Sequence, residues 1–329
     1  MEAARWPRHP RHLPPHLKET TFDIPLPDGT TSRTIITRPA STSNDIKKCP
    51  LIILFHGGSW SVGSPEFMLS PARGYATLFG AIVACPSYRL IPENPFSAPM
   101  QSSWEVTAWL SHPENLKHGP LKGEHVEFEP SLGIVLGGVS AGGNISAVIA
   151  GIAAENAANE NSTLANGLGK IAHPIKGIFL SIPVLVHETM VPAEYASLWT
   201  SRVDNADAAV LSAERQLASE KSLRADFHSP WYTPLNLDLD SIRGYHTPRV
   251  YFQAGSLDCL RDDSIVYEKA LRDKGISETR INVLEGVGHY GWTTLPAPLC
   301  HSDLMRTVSL DGMGWLLGKD WDKTQELPY

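Results

Sequence analysis

The chain has 329 residues, of which 42% are hydrophobic and 19% charged. That is an ordinary globular composition, with enough apolar material for a core that needs no disulfide or metal staple. A formal net charge of −7 argues against nucleic acid and anionic membranes as main partners, since both select basic surfaces. Cys49, Cys85, Cys259 and Cys300 form no C-x-x-C pair and no zinc pattern, so they read as small buried apolar groups in a reducing compartment.

The N-terminal stretch MEAARWPRHPRHLPPHLK is basic and proline-rich and lacks the apolar stretch of a secretory signal. Pro7, Pro10, Pro14 and Pro15 would break the amphipathic helix that a transit peptide needs. His9, His12 and His16 lie among these prolines and read as an irregular lead-in rather than a metal site. No apolar run is long enough to span a bilayer, and the terminal ELPY is neither a prenylation box nor a peroxisomal address. The expected location is cytoplasmic.

TTFDIPLPDGTTSRTIITRPA reads as a β-hairpin around the turn signal Asp28-Gly29. PLIILFHGG, GAIVACPSYRL and LGIVLGGVS follow as continuous apolar runs, and IKGIFLSIPV, PRVYFQAGS and TRINVLEGV come later. Short runs of this kind suit strands buried on both faces of a parallel sheet. Helical patterns alternate with them. One runs from near Pro99 to Leu110. Another places Ile145, Val148, Ile149 and Ile152 on one face, and a third places Val266, Tyr267, Ala270 and Leu271 together and ends at Gly275. The predicted fold is therefore α/β, with a mainly parallel central sheet flanked by helices. From about 187 to 247 the pattern is helical or irregular, with no strand. That segment reads as an insertion packed, together with the N-terminal residues, over the sheet edge where ligands bind.

GGVSAGGN (137–144) joins one of the apolar runs to a helix. Gly138-Val139-Ser140-Ala141-Gly142 is a G-x-S-x-G elbow, which lifts a serine clear of a strand end over a helix N-terminus. No P-loop Lys-Ser/Thr pair and no G-x-G-x-x-G spacing accompanies it. A serine hydroxyl needs a base and an oxyanion site to react. Gly57 and Gly58 in FHGGSW, with the N–H of Ala141, are the oxyanion candidates. His289 in LEGVGHYGW is the candidate base, with His301 in reserve, while His187, His228 and His246 read as structural or surface residues. Asp258, just beyond the run YFQAG, is the candidate orienting acid, and Asp262 and Asp263 read as helix-capping charges. The order Ser140, Asp258, His289 matches the chain order of α/β-hydrolase sites. Trp60, Tyr290 and Trp292 flank these motifs as possible pocket residues or, equally, as core aromatics. Asn144 and Asn161 fit a glycosylation pattern and are discounted, Asn144 because it lies in the nucleophile helix.

HGGSW, SYRLIPENPFSAPMQSSWEVTAWL, GGVSAGGN, GSLDCLRDDS and GVGHYGW occur in this order. On these motifs the sequence resembles the hormone-sensitive-lipase-like carboxylesterase family of α/β-hydrolases, most of all its fungal members, some of which act in secondary metabolism. The resemblance covers most of the chain from about Pro50 onward. It implies a single α/β-hydrolase domain over 1–329, with a mostly helical cap formed by about 1–20 and about 187–247. It also implies a Ser-His-Asp catalytic triad, no cofactor and no metal. The chain departs from the family at Ser59, where many members carry glycine or alanine, and at Tyr290, where many carry glycine. HGGSW is also similar to kynurenine formamidases, so ester and amide leaving groups both stay open. The expected activity is hydrolysis of short-chain carboxylic esters through an acyl-enzyme. The alternatives are a pathway hydrolase or cyclase acting on one ester, lactone or amide, and a non-catalytic receptor. The expected partner is a small-molecule ester, with no nucleic acid and no membrane; a homodimer is left open.

Overall fold

The structure, a computed structural model, describes residues 13–41, 45–295 and 299–325, with the side chains of 299 and 300 left out. Most of the N-terminal stretch, including His9 and His12, and the terminal ELPY lie outside the described residues. The elements in chain order are β1 (Leu17–Pro25), β2 (Thr31–Pro39), β3 (Lys47–Cys49), β4 (Leu51–Phe55), α1 (Leu69–Phe79), β5 (Ile82–Pro86), α2 (Ala98–Leu110) and α3 (Pro113–His118). They continue with β6 (Val126–Phe128), β7 (Ile134–Val139), α4 (Ala141–Ala158), β8 (Ile175–Ser181), α5 (Ser201–Asp204), α6 (Ala213–Leu223), β9 (Arg249–Gly255), α7 (Arg261–Asp273), β10 (Glu278–Leu284) and α8 (Leu299–Leu317).

Eight strands form one sheet in the order β1-β2-β5-β4-β7-β8-β9-β10. β1–β2 is the hairpin, and β2 also pairs antiparallel with β5; every other pair in this sheet is parallel. The central runs are apolar without alternation because helices cover both faces. All residues of β4, β5 and β7 are buried. One face carries α2, α4, α7 and the inserted segment over Ile53, Phe55, Leu136, Ile178 and Phe252. The other carries α1 and α8 over Ile52, Leu54, Val135, Phe179 and Tyr251. A small parallel sheet, β3 with β6, had no clear signal in the sequence.

Two expectations change. Residues 17–20 belong to the sheet, not to a cap, because they pair with Pro39, Arg38, Thr37 and Ile36 in β2. α4 is not apolar on one side only: Ala141 to Ile152 are all buried, because the helix is enclosed by the sheet, α2 and the inserted segment. Asn144 is wholly buried there, out of reach of any glycosylation. No described helix is long and apolar enough to cross a membrane.

Candidate active site

β7 ends at Val139, and the chain turns directly into α4 through Ser140, which adopts φ 56° and ψ −117°. A non-glycine residue takes such a backbone only when its surroundings enforce it. Here Ser140 N–H donates to the Ser181 carbonyl at 2.9 Å. Gly142 packs so tightly on the Phe55 and His56 carbonyls that a β-carbon could not be accommodated. The Ser140 hydroxyl is half-buried and stands over the start of α4, whose first N–H groups have no intrahelical acceptor.

His289 follows β10 on a loop and is 149 residues from Ser140 in the chain, yet its Nε2 lies 3.0 Å from Ser140 Oγ. Its Nδ1 lies 2.8 Å from Asp258 Oδ2. Asp258 is fully buried, and its other oxygen accepts the Leu260 N–H at 2.9 Å. With an acidic partner on Nδ1, the neutral ring carries its proton there and offers the Nε2 lone pair to the hydroxyl. The three residues are thus brought into one relay.

Gly57 lies beside the elbow: a β-carbon on it would meet the Val139 carbonyl at 2.9 Å and Ser140 Cβ at 3.3 Å. Gly58, Ser59 and Trp60 follow with φ of 118°, 53° and 56°, a run of left-handed residues that turns the strand end sharply. His56 pins this turn. Its Nδ1 lies 2.8 Å from the Gly57 carbonyl, its ring stacks on Tyr88 at 4.3 Å, and Tyr88 Oη donates to the His56 carbonyl. Burial pulls the His56 pKa down to about 4, so it is neutral and is not a second base. The sequence reading assigned it no role, though its place directly before the paired glycines is a signal.

Asp262 and Asp263 stand in the first turn of α7, as charges at a helix N-terminus should, but neither side chain bonds the cap, and each has a second role. Both are buried and reach out of their own helix to hold the inserted segment. Asp262 Oδ2 accepts the N–H groups of Thr200 and Ser201 at 2.7 and 2.6 Å. Asp263 Oδ1 accepts those of Leu185 and Val186 at 2.8 and 3.1 Å, and its other oxygen pairs with Arg202 at 2.9 Å. Burial raises the Asp263 pKa to about 6 against the opposing pull of Arg202 and the two amides. With a guanidinium and two N–H donors on it, we take Asp263 to be ionised at neutral pH. Asn205 in the same segment donates to the Ser256 and Asp258 carbonyls at 3.1 and 3.0 Å. Asn144, in α4, donates to the Val184 and Tyr232 carbonyls. None of these grips was legible, because each joins residues distant in sequence.

A cleft of about 440 Å³ opens beside the relay, lined by residues 203–210, Leu257, His289, Tyr290 and His301. Val203, Val210 and Leu257 expose apolar surface at its edge. Of the aromatic pocket candidates only Tyr290 lines this cleft. Trp60 is buried against Tyr232. Trp292 is buried edge-on against Tyr75 and fills the space over Gly74 on the α1 face of the sheet. Both are core residues because their rings find apolar neighbours away from the cleft. His301, the reserve base, lies on the cleft wall, while the reading of His187 and His246 as structural agrees with their burial.

A family model for the alpha/beta hydrolase fold matches residues 52–293. The chain is similar to an AB hydrolase superfamily protein of Schizosaccharomyces pombe, with 27% identity over 93% of this chain and 81% of the relative. It is similar to the versiconal hemiacetal acetate esterase of Dothistroma septosporum, with 28% identity over 82% of this chain and 75% of the relative. The solved structure of vibralactone cyclase superposes with a TM-score of 0.76 at 24% identity, covering 92% of this chain and 81% of that one. With a matching family model over most of its length, the chain belongs to the alpha/beta hydrolase fold family.

Proposed function

We propose that the protein is a serine carboxylesterase acting on small esters, with Ser140 as nucleophile, His289 as general base and acid, and Asp258 as the orienting carboxylate. The observation that carries this reading is the unbroken relay of 2.8 Å and 3.0 Å from Asp258 through His289 to Ser140. Ser140 Oγ attacks the ester carbonyl carbon as its proton passes to His289 Nε2. The oxyanion forms toward the N–H groups of Gly57, Gly58 and Ala141. The tetrahedral intermediate collapses, His289 protonates the departing alkoxide, and the alcohol leaves an acyl-Ser140. Water, deprotonated by His289, then attacks the acyl carbon and the carboxylic acid is released.

The residues at about 187–247 act as a cap in this reading, since they form one wall of the cleft beside His289. A cleft of about 440 Å³ suits a short acyl group and an apolar alcohol better than an extended fatty chain. A relative named for an acetate ester is in keeping with that. Cleavage of one particular ester, lactone or amide passes through the same kind of acyl-enzyme with a different leaving group, and cyclisation differs in that an internal nucleophile takes the place of water. Product analysis with candidate esters separates these outcomes.

The test is hydrolysis of p-nitrophenyl esters from acetate to palmitate. Turnover is expected to peak at short chains and to vanish in Ser140→Ala. A folded wild-type protein silent across the series overturns the general-esterase reading.

A further inference from the structure

His289 sits in the middle of a strap, residues 284–294, that crosses the ends of β9, β8 and β7 and finishes on α1. The two sides of His289 are held by different parts of the molecule. Before it, the strap is bonded to the loop that carries Asp258. Ser256 N–H donates to the Leu284 carbonyl and Leu257 N–H to the Val287 carbonyl, both at 2.9 Å. Gly286 N–H donates to Ser256 Oγ at 2.9 Å. These bonds set the base against its acid.

What sets the base against the nucleophile lies on its other side. Gly291 rests on the elbow: a β-carbon there would meet Val139 Cγ1 and Ser181 Oγ, each at 2.9 Å, and the Ser181 carbonyl accepts the Ser140 N–H. Such a contact limits how near the strap comes, not how far it drifts. Trp292 supplies the hold. Its indole is buried and meets Tyr75 edge-on, with ring centroids 5.6 Å apart. The far edge of the ring reaches Gly74, where a β-carbon would lie 2.4 Å from Cη2 and 3.1 Å from Cζ2. Gly74 stands in the middle of α1, a place where every residue but proline makes a better helix. The slot left by its missing side chain is what admits the indole. Beyond Trp292, Thr294 fastens the end of the strap: its N–H donates to the Phe67 carbonyl at 2.8 Å and its hydroxyl to the Glu66 carbonyl at 2.7 Å.

We infer that Trp292, seated in the Gly74 slot of α1, is a positioning residue for the reaction: it keeps His289 within hydrogen-bond reach of Ser140, while the bonds to Ser256 and Leu257 keep His289 on Asp258. It touches no reacting atom. The inference rests on the esterase reading of this site. A misplacement of about 1 Å, caused from a distance, can cost about a hundredfold in rate, so a methyl group in the slot has leverage on the chemistry.

The experiment is Gly74→Ala in the full chain, assayed on p-nitrophenyl acetate well below its unfolding temperature and labelled at Ser140 with diisopropyl fluorophosphate. The new methyl group displaces the indole and the strap with it. Both kcat and the labelling rate are expected to fall about tenfold, with KM changed less than about twofold. The His289 Nδ1 proton, read by proton NMR, is expected to keep its resonance, because its bond to Asp258 is set on the other side of the strap. A merely loosened core would not separate the two. Trp292→Phe draws the ring back from the slot, so adding it to Gly74→Ala should recover much of the lost kcat, whereas independent effects would multiply. If Gly74→Ala does not fold, Thr294→Val takes its place. It removes one hydroxyl from the strap's far end and is expected to lower kcat severalfold with the same pattern. A folded variant with unchanged kcat, a loss that follows only the folded fraction, or multiplying effects in the double variant would overturn the inference alone. A wild type that turns over no ester and leaves Ser140 unlabelled overturns the esterase reading and the inference with it.

Discussion

Ser140 carries a β-carbon at φ 56°, a conformation that costs on the order of 1–3 kcal/mol for a non-glycine residue. If that strain is stored in the elbow, Ser140→Gly should unfold at a higher temperature than Ser140→Ala, although neither can form an acyl-enzyme. Equal melting temperatures would mean that the turn is unstrained. Gly57 tests the oxyanion assignment from the other side. A β-carbon there meets the Val139 carbonyl at 2.9 Å, so Gly57→Ala must push the strand end away from Ser140. Ester turnover is expected to fall roughly a hundredfold, and the urea midpoint is expected to fall as well, since the atom displaced belongs to the backbone. Asp263 tests structure rather than chemistry. It is the buried counter-charge of Arg202, which also reaches the Cys259 carbonyl. Asp263→Asn leaves a largely buried guanidinium uncompensated and should cost roughly 3–5 kcal/mol of unfolding free energy.

At the scale of elements, the segment holding α5 and α6 is tied down by side chains of the scaffold rather than by backbone pairing. Asn205 is its nearest grip on the relay, through the Ser256 and Asp258 carbonyls. Asn205→Ala is expected to lower kcat by a larger factor than it raises KM, because it loosens the loop that carries Asp258 while trimming one side chain from the cleft wall. An unchanged kcat would separate that contact from the chemistry. The same distinction explains what was legible in the sequence. The buried strands announced themselves as unbroken apolar runs, the hairpin by Asp28-Gly29, and the Ser140 elbow by glycines whose absent side chains let backbone close on it. Asp258 and His289 were legible because they follow strands. The second roles of Asp262 and Asp263 were hidden, since an acid early in a helix reads as a cap until its long-range partners are known. The burial of Trp60 and Trp292 was hidden too, because an aromatic beside a motif gives no sign of which way its ring turns.

For the molecule as a whole, acid sensitivity follows from buried groups that are not members of the Ser140–His289–Asp258 relay. His56 and His246 are pulled from 6.5 down to about 4. Between those values the unfolded chain binds the protons, so stability rises with pH in that window and is lost as pH falls through it. Each histidine accounts for on the order of 3 kcal/mol. Asp263, pushed from 3.8 up to about 6, is protonated first in the folded state and opposes that loss over nearly the same range. The net effect is a melting temperature that drops from pH 6.5 to pH 4, and His246→Asn should flatten the drop. A larger concern of the architecture is how its tasks are divided along the chain. Ser140 and the paired glycines come before the exposed turn at Asn159–Asn161, and Asp258 and His289 come after it. The two portions meet along β7 and β8. A break at that turn would split the protein into one piece with a serine that nothing activates and another with a base that has nothing to deprotonate. Esterase turnover in a mixture of the separate pieces would then report their reunion at that strand seam.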